Sequence, residues 1–199
     1  MCYRPFDNRK RNNSYYYINW KVSNYMSTLS VDTIQGQTTA ANVKLPAGCI
    51  LQTVSTTKTD TFSANSAQVQ AVTGLSVAIT PKFSTSKVLI MADVSASVDA
   101  AARGYLGLYK NGSVLVQGDT AGSRIRAVAQ LSGDDNGEAL SSTVSFLDSP
   151  NTTSATTYQI YCIGEGGSTQ VHVNRSHSDG DAAGRGRFIS TITAMEIAQ

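Results

Sequence analysis

SKVLIMADVSASV, residues 86–98, is the stretch whose reading decides the fold. Val88, Ile90, Ala92, Val94, Ala96 and Val98 alternate without a break, the period of two that sets one side of a strand against a core. The other side begins apolar at Leu89 and Met91 and turns polar at Asp93, Ser95 and Ser97. That pattern predicts a strand covered on both sides over its first half and wet on one side over its second.

The neighbouring segments carry the same period. Upstream, Ile50 to Thr57 is a first strand, a polar loop follows over Thr59 to Ser66, and Leu75, Val77 and Ile79 alternate up to Pro81. Proline has no N–H for a ladder and ends that strand. Downstream comes GYLGLYK-NG-SVLVQG, in which Asn111-Gly112 is the dipeptide of a type I′ turn, since both positions need φ > 0. Pairing outward from it sets Tyr109 opposite Val114, Leu108 opposite Leu115 and Gly107 opposite Val116. Ser123 to Leu131 reads as a further strand, with Ile125, Ala127 and Ala129 on one side and Arg124 and Arg126 on the other. Leu140, Val144 and Phe146 mark the next, and Tyr158, Ile160 and Cys162 the one after. Val171 and Val173 form a short strand with His172 pointing outward. Phe188 to Ala198 is apolar on both faces, as a central last strand would be. About ten strands and no helical period predict an all-β fold, an antiparallel β-sandwich of jelly-roll type over residues 49–199.

Composition narrows the function classes. Only 15% of the 199 residues are charged, and Ser, Thr, Gly and Ala are abundant, a profile that suits an extracellular or virion protein. The net charge of +2 comes from residues 1–25, where Arg4, Arg9, Lys10, Arg11 and Lys21 face Asp7 alone. The remainder is slightly acidic, so no nucleic-acid partner is expected. Cys2, Cys49 and Cys162 have neither metal spacing nor an even count for a disulfide framework, and Cys162 sits in a strand pattern as a small buried hydrophobe. No run approaches the ~18 apolar residues of a membrane span, so no membrane insertion is expected.

Two segments precede the sandwich. Residues 1–25 hold Trp20, five tyrosines and a basic cluster, and read either as a docking arm or as an extension upstream of a natural start at Met26. Residues 26–48 carry Leu29, Val31 and Ile34 and then a polar run. That is too sparse for a core and suits an extended lead segment that gains burial against a neighbouring subunit or another virion protein.

The opening MSTLSVDTIQGQTTAANVKLPAG, the segment ITPKFSTSKVLI, the NRS loop and the closing STITAMEIA resemble small structural proteins of marine, cyanophage-like bacteriophages, of the tail-fibre or virion type. The resemblance covers roughly residues 26–199. The body also resembles the trimeric jelly rolls of the tumour-necrosis-factor and complement-head type, where a long apolar strand leads into a KNG hairpin. These likenesses imply a homotrimer on the surface of a phage particle that attaches to a host glycan or protein. A capsid decoration or head fibre without a receptor is the alternative, and a polysaccharide-degrading enzyme a third.

Motifs of chemistry are sparse. There is no Walker loop, GxSxG or HExxH, so no catalytic residue and no cofactor is expected, and the chain is read as non-enzymatic. His172, His177 and Asp179 form one cluster that could hold a transition metal if strand and loop fold together, the other reading being a solvated loop. Asp134, Asp135, Asn136 and Glu138 could hold Ca²⁺, or make a plain acidic turn. Receptor contacts are expected among Tyr105, Tyr109, Asn151, Asn174, Arg175 and Asp179, since sugars present both CH faces and hydroxyls. Leu89, Met91, Ile189 and Ile197 fall on second faces that a two-layer sandwich leaves bare. They are the expected trimer contacts.

Overall fold

The computed structural model describes residues 45–64, 68–99, 101–133 and 138–199, so the expectations for residues 1–25, most of 26–48 and the acidic turn at 134–136 lie outside it. Among the described residues there are eleven strands and no helix. They are β1 (Ile50–Lys58), β2 (Phe62–Ala64), β3 (Gln70–Ile79), β4 (Lys87–Val98), β5 (Arg103–Lys110) and β6 (Ser113–Val116). The remainder are β7 (Ala129–Ser132), β8 (Leu140–Asp148), β9 (Thr156–Gly164), β10 (Val171–Val173) and β11 (Ser190–Ile197).

Every pairing is antiparallel. The first layer runs β1-β11-β4 with β8 on the far edge of β4, while β10 continues along the near edge and carries β2. The second runs β3-β9-β5, with β6 and β7 sharing the last edge end to end. The long strands thus pass back and forth between layers, and the first lies beside the last. This is the jelly-roll path.

β4 is central, as its sequence demands. Val88, Ile90, Ala92, Val94, Ala96 and Val98 are at most 1% exposed. They face Leu75, Val77, Leu106, Leu108, Ile160 and Cys162 of the second layer, all buried. A polar link also joins the layers. Lys110 Nζ donates to both oxygens of Asp148, at 3.1 and 3.0 Å, and the Tyr158 hydroxyl donates to Oδ2 at 2.7 Å. Burial first, and then Asp148, push that hydroxyl well above the usual tyrosine range. At the other end Glu196 is fully buried on the inward side of β11. Its carboxylate accepts from Gln52 Nε2 and from the backbone N–H groups of Lys82 and Phe83, which ties the β3–β4 turn across the end of the sandwich.

Several expectations need correction. Asn111 and Gly112 do take φ of 50° and 79°, and Tyr109 does face Val114. A bulge then sets Leu108 opposite Val116 instead of Leu115, and the extra residue lets Leu115 and Val116 both pack against the core. Residues 123–128 are not strand. Arg126 Nε donates to the Gly118 carbonyl and Arg124 Nη1 to that of Ala121, so these side chains satisfy loop carbonyls while Ile125 stays exposed. The loop over 59–66 contains β2, which pairs with β10.

The outer side of β4 departs furthest. Met91 is 39% exposed and Leu147, which lies beside Leu89 on β8, is 45% exposed, while Ser97 is only 1% exposed. Within one chain Met91 and Asp93 are both exposed, and the departure lies at Ser97, where a wet face is expected and a covered one is found. The cover is residues 175–187, folded back over the end of β4 and β10. Ser97 Oγ donates to the Arg175 carbonyl at 3.0 Å.

Candidate functional site

The returning segment encloses the most chemically loaded cluster of the described residues. β10 is three residues long, held between Ser97 of β4 and Ser63 of β2 at its centre. Val171 and Val173 must face the core, so His172 is forced onto the opposite side. The sequence predicts it there, pointing outward, yet it is 2% exposed. It is covered because the chain turns back after β10. Arg175 bridges to Arg187, the Phe188 N–H donates to the Asn174 carbonyl at 3.0 Å, and the Gly186 N–H donates to Ser176 Oγ at 3.0 Å.

Asp99, the residue after β4, is the hub. Its Oδ2 accepts the Gln170 N–H at 2.6 Å, which aims Oδ1 at the imidazoles. Oδ1 lies 3.3 Å from His172 Nε2 and 3.1 Å from His177 Nδ1. The donor atoms of Asp99, His172 and His177 all lie within 4.8 Å of one another. Arg175 completes the group: Nη2 is 2.7 Å from His172 Nδ1 and 3.1 Å from Ser63 Oγ, and Nη1 donates to the carbonyls of Ser176 and His177.

These contacts fix the tautomer. A guanidinium has only protons to offer, so His172 Nδ1 accepts from it and Nε2 carries the proton toward Asp99. Burial, and next the charge of Arg175, hold the His172 pKa below the ordinary histidine value, with Asp99 opposing them in part. His172 is therefore a neutral imidazole near pH 7.

The structure redistributes the expected site residues. His172 and His177 come together, but the carboxylate between them is Asp99 and not Asp179, which instead pairs with Arg187 and lies 3.8 Å from Arg175 Nη1. Asn174 was expected at a receptor surface and is fully buried. Its amide donates to the carbonyls of Lys58 and Asp60 at 2.8 and 3.0 Å, and its Oδ1 accepts from Ser190 Oγ at 2.6 Å. It also takes φ 64°, a conformation asparagine tolerates better than most residues. Arg175 likewise has its side chain committed inward. Asn151 is exposed on its loop.

The second layer places the tyrosines on its outer side. Tyr109 and Tyr161 stack with centroids 3.9 Å apart, and Tyr109 lies over Gly107, where a Cβ would come within 2.9 Å of its ring. Gln117, Arg126 and Val114 border the same shallow hollow. Tyr105 is half-buried along the same strand. Cys162 is buried, and burial pushes its thiol up to about 12, which leaves it a packing residue.

Asp99 and Ser63 escape a sequence reading because they stand 73 and 109 residues from His172 along the chain. The one available signal is that Asp99 directly follows the long alternating stretch.

No family model matches the chain, and no curated protein matches it. Among solved structures it is similar to a chain in the structure of infectious bursal disease virus Gx strain, at a TM-score of 0.39 and 13% identity. The similarity covers 86% of this chain and 42% of that one, so this chain spans less than half the neighbour's length.

Proposed function

We propose that this chain is a non-enzymatic structural protein of a phage particle, a tail-fibre or spike-type adhesin whose jelly-roll bodies associate as a homotrimer. The observation that carries the reading is the bare apolar end of the first layer. Leu89 sits beside Leu147 on one flank and Met195 on the other, with Met91 and Ile197 in the adjoining rows. A sheet whose inner side already fills a sandwich core has no use for apolar side chains outside unless another surface covers them. A second copy of the same sheet is a cover whose hydropathy matches. The phage-like segments at 26–48, 79–90 and 190–198 support the particle assignment, and the tyrosine-lined outer side of the second layer is the surface left for a host glycan or protein.

Sedimentation of the full chain at micromolar concentration tests the assembly, with a trimer expected and a stable monomer overturning it. Immunogold labelling of intact particles tests the location. Label confined to the tail supports the adhesin, and label spread over the head assigns the chain to capsid decoration instead.

A further inference from the structure

The geometry points to a divalent transition-metal site, suited to Zn²⁺, formed by Asp99 Oδ1, His172 Nε2 and His177 Nδ1. The chain has two histidines in all, and both converge on one carboxylate oxygen. Tetrahedral coordination with Zn–N and Zn–O bonds of about 2.0–2.1 Å needs donor atoms about 3.3 Å apart. The two separations to Asp99 Oδ1 are 3.3 and 3.1 Å. The third, between the imidazoles, lies within the 4.8 Å span of the group, and His177 belongs to a loop that can close it. Two imidazoles and a carboxylate are a borderline ligand set that favours zinc over magnesium or calcium. Water fills the fourth position on the solvent side, where the His177 side chain is 34% exposed.

The surroundings are those a ligand set requires. Asp99 is oriented through its other oxygen by the Gln170 N–H. His172 is buried and cannot swing away. Metal binding moves its proton from Nε2 to Nδ1, and Ser63 Oγ, 3.0 Å from Nδ1, is placed to accept it. A hydroxyl oxygen has two lone pairs, so Ser63 can accept from Nδ1 and from Arg175 Nη2, while the bond from Nη2 to Nδ1 gives way as the proton arrives. Arg175 opposes a cation by its charge, and Asp179 partly offsets that charge. Its two bonds to the loop carbonyls place His177 whether or not it touches His172. Bound metal would clamp residues 175–187 to the end of β4 and to β10. This is independent of the particle assignment.

The test is titration of the metal-free full chain with Zn²⁺ by calorimetry and of the same chain with Co²⁺ by absorbance. One Zn²⁺ per chain at micromolar or tighter affinity is expected, raising the melting temperature by about 5 °C at saturating metal. The Co²⁺ complex should show visible d–d bands without thiolate charge transfer, which separates this site from one built on cysteine. His177→Ala should weaken binding at least about 100-fold, and Ser63→Ala about 10-fold through the lost partner of Nδ1. Asp99→Asn, which keeps an oxygen for Gln170, guards against a folding artefact and should weaken binding like His177→Ala. Absence of saturable binding below 100-fold molar excess of Zn²⁺ overturns the site, as does binding that survives both His177→Ala and Asp99→Asn.

Discussion

The two halves of the outer side of β4 stand side by side on one strand and meet opposite fates. Leu89 lies in a row with Leu147 and Met195, Met91 lies between Ser145 and Thr193, and both are left partly open to solvent. Ser97, six residues beyond Met91, lies under residues 175–187, and Ser95 before it is half-buried. Hydropathy alone ranks the first half as the one to be covered within the chain. The end that is covered is instead the polar one beyond the exposed Asp93, because its side chains and backbone offer hydrogen bonds that the returning chain can complete. Ser97 Oγ reaches the Arg175 carbonyl, the Asn174 N–H reaches the Ser95 carbonyl, and Ser190 Oγ accepts from the Ser95 N–H. The difference teaches that a cover chosen by the chain itself is specified by polar matching. Apolar area is left for a surface that brings its own.

The sharpest way to break the covered half is at Asn174. Asn174→Leu keeps the forked shape of the side chain but removes both amide bonds to the carbonyls of Lys58 and Asp60 and the acceptor for Ser190. It also sets a bulky residue at φ 64°. Leaving buried polar groups unpaired together with backbone strain should cost about 3–4 kcal/mol. Urea unfolding should show this as a lowered midpoint with an unchanged slope. A loss below about 1 kcal/mol would mean that the segment is held by something else.

A second pair of substitutions inverts what hydropathy expects. Ser97→Val makes the covered half more apolar, yet it should destabilise by about 1–2 kcal/mol because the Arg175 carbonyl loses its donor in a dry setting. Met91→Ser makes the open half more polar and should change monomer stability by less than about 0.5 kcal/mol, as solvent-facing changes do. Equal costs at the two positions, read from the same denaturation curves, would erase the distinction between the halves.

How much of this was legible beforehand follows from the range of each interaction. The inner side of β4, the Asn111-Gly112 turn and the strand patterns of β9 and β11 were readable because side-chain period and turn chemistry are local. The sandwich followed from them. The bulge at Leu108, the short β2 and the irregular path before β7 were not, since each answers to packing across strands far apart in sequence. The same limit governs the site. His172 and His177 are visible as a pair five residues apart, and the carboxylate that sequence proximity sets beside them is Asp179, not the distant Asp99. In the fold, Asp179 is drawn to Arg175 and Arg187, and Asp99 takes the central place. Asn174 and Arg175 looked like loop residues offered to a receptor. They are the means by which the loop is attached.

A third prediction uses pH, because only the covered half contains a titrating base. His172 faces Asp99, Arg175, His177 and Ser63, and its folded pKa lies below its unfolded value of about 6.5. The unfolded chain therefore takes up a proton first as pH falls, so ∂ΔG/∂pH is positive through that range. The stabilisation is complete above about pH 6.5 and is lost as pH falls through the folded pKa. Unfolding midpoints of the metal-free chain should hold level from pH 8 to pH 7 and decline towards pH 5, before the ordinary carboxylates titrate. His172→Gln should flatten that decline. An unaltered slope in the variant would remove His172 as its source.

The smallest expected effect on the fold is at Met91, and it is the most informative about assembly. Met91 pairs with Ser145 on one flank and Thr193 on the other, so the flanking strands set no apolar side chain directly against it. Met91→Glu should leave the inner row of Ile90 and Ala92 untouched, with the β signal intact and monomer stability altered by less than about 0.5 kcal/mol. A charge placed at the centre of an apolar contact between copies is a different matter. It would be desolvated without a partner, at a cost of several kcal/mol for each copy in the assembly. In the proposed trimer the contact is repeated three times, so that cost should convert the assembly to monomers at micromolar concentration. Sedimentation of the variant beside the unmodified chain reads the two effects separately. A variant that stays assembled would show that the open half of β4 is not where the copies meet.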